Sequence, residues 1–106
     1  MTPNDFYEQI KKAGFPVAEA EYKKAVNPPY LVTLKGVDES VYANGKKVIP
    51  VIKVDIELYT EKNDNSSQAR LEDWFDSNDV EYEMKERAWI TEENLYVTVY
   101  KVSLYE

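Results

Sequence analysis

Phe6, Ile10 and Ala13 recur at spacings of four and three, the signature of one buried face on a helix. Thr2 stands where a side chain can cap the first turn. Pro3 suits the first helical position, and Asp5 puts an acid near the positive end of the helix dipole. Gly14 follows as a stop, with Pro16 just beyond, so the spacing predicts a helix over residues 3–13. Val17 to Tyr22 reads as a short extended piece. Asn27-Pro28-Pro29 then punctuates the chain, because adjacent prolines cannot continue a ladder. From Tyr30 the pattern alternates. Tyr30, Val32 and Leu34 point one way and Leu31, Thr33 and Lys35 the other, a strand of about six residues.

Asp38 to Lys47 is polar and contains Asn44-Gly45, a strong signal for a tight hairpin turn. Its flanks, Val41-Tyr42 and Val48-Ile49, suit the arms of a projecting β-ribbon. The clearest strand runs from Val51 to Thr60. There Ile52, Val54, Ile56 and Leu58 alternate with Lys53, Asp55, Glu57 and Tyr59, which one covered face and one wet face require. Glu61 to Asn65 is a loop, and Ser66 or Ser67 is placed to cap a second helix. Leu71, Trp74 and Phe75 give that helix its apolar stripe, and Asn78-Asp79 ends it. Val80, Tyr82 and Met84 then alternate with Glu81, Glu83 and Lys85, and a turn falls near Ile90 to Asn94. In the last strand, Leu95 to Tyr105, the residues Tyr96, Thr98, Tyr100, Val102 and Leu104 share one face. Leu95, Val97 and Val99 make the other face apolar too, so this strand belongs inside a sheet or against another subunit. The order predicts one α+β domain over residues 1–106: a mostly antiparallel sheet of four to five strands with two helices packed on one face. The other face must be polar or must meet a partner.

Composition narrows what such a domain does. A chain of 106 residues holds a single core. It has no cysteine and no histidine, which removes disulfides, thiol nucleophiles and imidazole bases; we expect no enzyme and no cofactor. The balance of 13 basic and 20 acidic residues leaves a formal net charge of −7. Sequence-specific nucleic-acid binding needs clustered Lys and Arg, whereas here most lysines sit beside acids, as in Glu61-Lys62 and Lys85-Glu86. No apolar run reaches the length of a membrane span, and the first residues lack a basic region followed by an apolar core. Synthesis and folding in a cytoplasm are expected.

Three acid clusters, Asp38-Glu39, Glu72-Asp73-Asp76 and Glu81-Glu83-Glu86, have the residue types of a metal or acid–base site. Their spacing instead suits solvated faces: Glu72 and Asp76 lie one turn apart, away from Leu71 and Trp74. The three glycines are isolated and make no phosphate loop. Five serines have no base to activate them except lysine. The nine tyrosines carry more information, because a tyrosine buries a rigid area while keeping a polar tip. Alternation turns Tyr59 outward, and Tyr42 and Tyr105 are exposed on the same logic. We therefore expect an interface on the open sheet face.

Several segments, read in order, are similar to a known family. They are Gly14-Phe15-Pro16-Val17-Ala18, Pro28-Pro29-Tyr30, and Ile56-Glu57-Leu58-Tyr59-Thr60 followed by Lys62 and Asp64. Leu71-Glu72, the Glu93-x-x-Tyr96 step and Tyr100-Lys101-Val102 complete the set. Together they resemble the small tail-completion proteins of siphophages and Gram-positive prophages, also called tail terminator or tail-to-head joining proteins. The likeness covers nearly the whole chain, and its motifs are structural.

The resemblance implies a ring-forming subunit, a hexamer on the end of the tail tube. Such a ring stops tube growth and offers a surface to the head connector. Its partners would be further copies of itself, the tube protein and the connector or head-completion protein. It would reside in the host cytoplasm during assembly and in the virion tail afterwards. The segment implied to reach neighbours or the tube is the ribbon, with Asp38, Glu39, Tyr42, Asn44, Gly45, Lys46 and Lys47. Tyr59, the loop with Glu61, Lys62 and Asp64, and the last strand ending at Tyr105 are further candidates. A ring of this net charge would repel passing DNA if the acids line its lumen. A chain this acidic also fits a small inhibitor that mimics DNA, such as an anti-restriction factor, or an adaptor binding a host protein. Mimicry needs acids aligned at phosphate-like spacing, and here they are spread over loops and two elements.

Overall fold

The structure is a computed structural model that describes residues 1–19 and 27–105. Helix α1 spans Pro3–Gln9 and tightens into a 3-10 turn at Ile10–Ala13. Thr2 Oγ1 accepts the Asp5 N–H at 3.2 Å, and Gly14 closes the turn at φ +95°. The helix expected over 3–13 is therefore present, with its last turn wound more tightly than the first two. Strand β1 is Val17–Glu19; residues 20–22 of the expected extended piece lie outside the described residues. The remaining elements are β2 (Tyr30–Thr33), β3 (Val37–Asp38), β4 (Val41–Ala43), β5 (Lys46–Ile49), β6 (Val51–Thr60), α2 (Ser67–Ser77), β7 (Glu81–Ile90) and β8 (Leu95–Tyr105).

The main sheet runs β1-β2-β6-β8-β7, and β3 pairs with β6 beyond the end of β2. All pairings are antiparallel except β1 with β2. The fold is α+β, as the alternation implied. The sheet is mixed and has six strands instead of four or five, because β1 joins in parallel and the unexpected short strand β3 pairs with β6. The strand expected over about six residues from Tyr30 ends at Thr33, although the Leu34 N–H still bonds the Asp55 carbonyl at 3.0 Å, so the chain hugs β6 between β2 and β3.

Strand β8 lies between β6 and β7, which accounts for its apolar start. On the covered face, Ile56 sits opposite Tyr100 and Val54 opposite Val102, with Leu31 opposite Leu58. Phe6 and Ile10 from the first helix and Leu71 and Phe75 from α2 complete this core, and all of these side chains are fully buried. Burying each contributes about 1.5–3 kcal/mol.

Helix α2 departs from expectation at two points. No serine side chain caps it; Asp64 does so instead. Its carboxylate accepts the Ser66 and Ser67 N–H groups at 3.1 and 3.0 Å and the Ser67 hydroxyl at 2.5 Å. Glu72 is not on a solvated face. It is half-buried and accepts the Tyr100 hydroxyl at 2.8 Å and the Tyr82 hydroxyl at 3.4 Å. The radius of gyration is 14.7 Å, against about 13 Å for a compact domain of this length, and the long axis is 49 Å. The β4–β5 ribbon, a separate two-stranded sheet, stands off one end.

Candidate functional site

Asn44 and Gly45 turn the ribbon at φ +53° and +74°, the doubly left-handed conformation of a primed turn, which glycine adopts without strain. Across it Val41 pairs with Ile49, Tyr42 with Lys47 and Ala43 with Lys46, and a bulge follows Val41. Every residue of β4 and β5 is exposed. Val41 keeps 49% of its surface, Tyr42 57%, Val48 54% and Ile49 45%, and Val37 at the base is exposed as well. A two-stranded ribbon is marginal alone in water, and apolar side chains grouped on one projection mark an interaction site.

The base of the ribbon is pinned. The Val51 N–H donates to Ser40 Oγ at 2.9 Å, and the Glu39 N–H donates to the Val51 carbonyl at 3.0 Å. The Ser40 N–H donates to Asp38 Oδ1 at 2.9 Å, and Lys47 Nζ lies 3.5 Å from Oδ2. Hydrogen bonding from Ser40, with Lys47 beside it, holds the Asp38 carboxyl below the usual carboxylate range. Glu39 pairs with Lys101 of β8 at 3.4 Å.

The candidate residues divide between two ends of the molecule. Asp38, Glu39, Tyr42, Asn44, Gly45, Lys46 and Lys47 gather on the ribbon and its base. Tyr105 stands nearby, opposite Val51, where its hydroxyl donates to Glu81 Oε2 at 2.5 Å. That bond, with Ser103 assisting, lowers the Glu81 pKa and raises that of Tyr105. Glu61, Lys62 and Asp64 lie at the opposite end. Asp64 there is a helix cap: burial would raise its pKa, but the hydrogen bonds from Ser67 and Ser66 outweigh it and bring it down. Tyr59 lies on the open face, half-buried, with its ring stacked on Tyr30 at 4.9 Å and its hydroxyl donating to Glu57 at 3.2 Å. Burial and the Glu57 charge push its pKa up.

Two features lay outside the sequence reading of the site. One is the apolar character of the ribbon, carried by Val41, Val48 and Ile49, which counted there only as strand arms, with exposed Val37 of β3 at its base. The other is the free long edge of β7. All of its residues but Tyr82 and Ile90 are exposed, Met84 and Trp89 included, and among the described residues no strand pairs beyond it. The charge-rich run from Glu81 to Arg87 is the sequence signal for such an edge. At the end away from the ribbon, the Arg87 guanidinium lies 3.8 Å over the Tyr96 ring, and Trp89 meets that ring edge-on. Among the described residues no group of acids is close enough to hold a metal ion, and no helix is long and apolar enough to cross a membrane. No protein-family model matches the chain, and no curated protein is significantly similar to it.

Proposed function

We propose that the chain is a structural assembly subunit that completes a phage or prophage tail, forming a ring that caps the tube and joins tail to head. The observation that carries the assembly part is the ribbon, whose apolar residues are held out in water by a well-pinned base. A fold that buries Phe6, Ile10, Leu71 and Phe75 completely has no need of Val41, Tyr42, Val48 and Ile49 for its core, so these are available to a partner. The tail role rests on the order of motifs from Gly14-Phe15-Pro16 to Tyr100-Lys101-Val102. Its partners on this reading are further copies of the chain, the tube protein and the head connector. Its location is the host cytoplasm and then the virion tail.

The reading asks for no catalysis. Glu72 is occupied by Tyr100 and Tyr82, Asp64 by the start of α2, and Asp38 by Ser40 and Lys47. Those are structural duties. The test is to delete the gene from the phage or lysogen that carries it, induce, and image the lysate by electron microscopy. DNA-filled heads separated from tails, with tails of uncontrolled length, are the expected outcome. Joined, infectious particles would overturn the reading and favour an inhibitor or adaptor.

A further inference from the structure

Row by row across the ribbon end of the sheet, Val37 lies beside Lys53, Lys53 beside Ser103, and Ser103 beside Glu81. The ribbon leaves from the Val37 side of that row, whereas the free edge of β7 lies on the Glu81 side, with β6 and β8 between them. One copy therefore presents a projecting strand pair on one flank and an unpaired strand edge on the other, at the same end of the molecule.

The two differ in charge. Strand β5 is Lys46-Lys47-Val48-Ile49, four exposed residues. A bulge between Met84 and Glu86 divides β7, so its first straight stretch is also four residues, Glu81 to Met84. Exposed Glu83 precedes exposed Met84 there, and beyond the bulged, exposed Lys85 the strand resumes at exposed Glu86 on the same face as Glu83. Charges and bulges of this kind keep a sheet edge from pairing with its own kind. Acid against acid, Glu81 and Glu83, disfavours the first stretch of β7 meeting its own copy, and lysine against lysine disfavours ribbon meeting ribbon. The remaining combination sets lysines against acids and Val48 and Ile49 beside Met84.

We infer that β5 of one copy adds as a strand to the β7 edge of a second copy along Glu81–Glu86, so that one of the two neighbouring lysines, Lys46 or Lys47, comes onto the face that carries Glu83 and Glu86. This rests on the self-assembly part of the function proposed above and names its contact. The two patches are different, so the contact is heterologous, the type that generates a closed ring or an open filament. The intramolecular ties it must compete with are weak and solvent-exposed: Lys47 with Asp38 at 3.5 Å and Lys85 with Glu83 at 3.4 Å.

Sedimentation velocity on the full chain, from micromolar to millimolar, tests this with three variants: Lys46→Glu with Lys47→Glu, Glu83→Lys with Glu86→Lys, and all four together. Thermal melts confirm that each variant is folded. The wild type is expected to associate, each pair of reversals to weaken association by at least about tenfold, and the fourfold variant to restore it. Association that ignores both pairs, or that the fourfold variant fails to restore, would overturn the docking while leaving self-assembly in place. A wild type that stays monomeric at millimolar concentration would overturn it too. The deletion phenotype judges the tail role separately.

Discussion

Strand β6 and the β4–β5 ribbon are neighbours in the chain and similarly rich in β-branched residues, yet they meet opposite fates. Val54, Ile56 and Leu58 lie on one face of a ten-residue strand under two helices and have no exposed surface. Val41, Tyr42, Val48 and Ile49 lie on a short ribbon that no helix covers and keep about half of theirs. Identical side-chain chemistry therefore serves stability in one place and is free for recognition in the other. The deciding variable is position. Strand β6 runs inside the sheet beneath the two helices, whereas the ribbon, of three and four residues, is a separate sheet that no helix covers.

The largest test of that contrast is Ile56→Asp. An unpaired charge in this core costs several kcal/mol, comparable to the whole stability of a small domain, so circular dichroism should report an unfolded chain. Next is Tyr100→Phe, which leaves Glu72 without its shorter hydrogen bond. About 1–2 kcal/mol should be lost in urea titrations, with the fold intact. Burial, and then the bond to Glu72, raise the Tyr100 pKa, so the folded state holds this proton more tightly than the unfolded one. That contribution is fully present below about pH 10 and disappears as pH rises toward the folded value. Alkaline destabilisation should accordingly be shallower in Tyr100→Phe than in the wild type.

Asp64→Ala removes the cap of α2 and should cost about 1 kcal/mol. The Asp64 pKa is lowered on folding, so its stabilisation is present above the ordinary aspartate value and is lost as pH falls below it. The variant should therefore lose less stability than the wild type on acidification. Smallest of all on stability is the replacement of Asn44-Gly45 by Val-Val. The primed turn is lost, but nothing in the core moves, so the melt should shift little while assembly suffers. A collapse of the melt there would make the ribbon part of the fold and erase the contrast with β6.

Much of this arrangement was readable in the sequence wherever a repeat of 2 or 3.6 residues ran long enough. The alternation of β6 and the two-sided apolar start of β8 imposed their places in the sheet, and the stripe of α2 its place against it. Contacts that close over long separations were not readable. Helical spacing alone puts Glu72 on the wet side of α2; only the sheet, which brings Tyr100 beneath the helix, shows it held. The Asp64 cap was missed because two serines stood nearer the helix start. Strand β3, Val37–Asp38, exists only through its register with β6, which periodicity does not encode. Among the candidate site residues, the ribbon set was legible because Asn44-Gly45 marks a turn with little ambiguity. The β7 edge was harder to see, since an edge is defined by what fails to pair with it.

The central claim is that the ribbon serves assembly and not folding. The most direct measurement is complementation of the gene deletion by a chain in which residues 41–49 are replaced by a short turn, read by electron microscopy of the lysate. A chain that melts cooperatively near the wild-type temperature, yet leaves DNA-filled heads apart from tails, is the expected result. Joined, infectious particles made with the ribbonless chain would contradict the account.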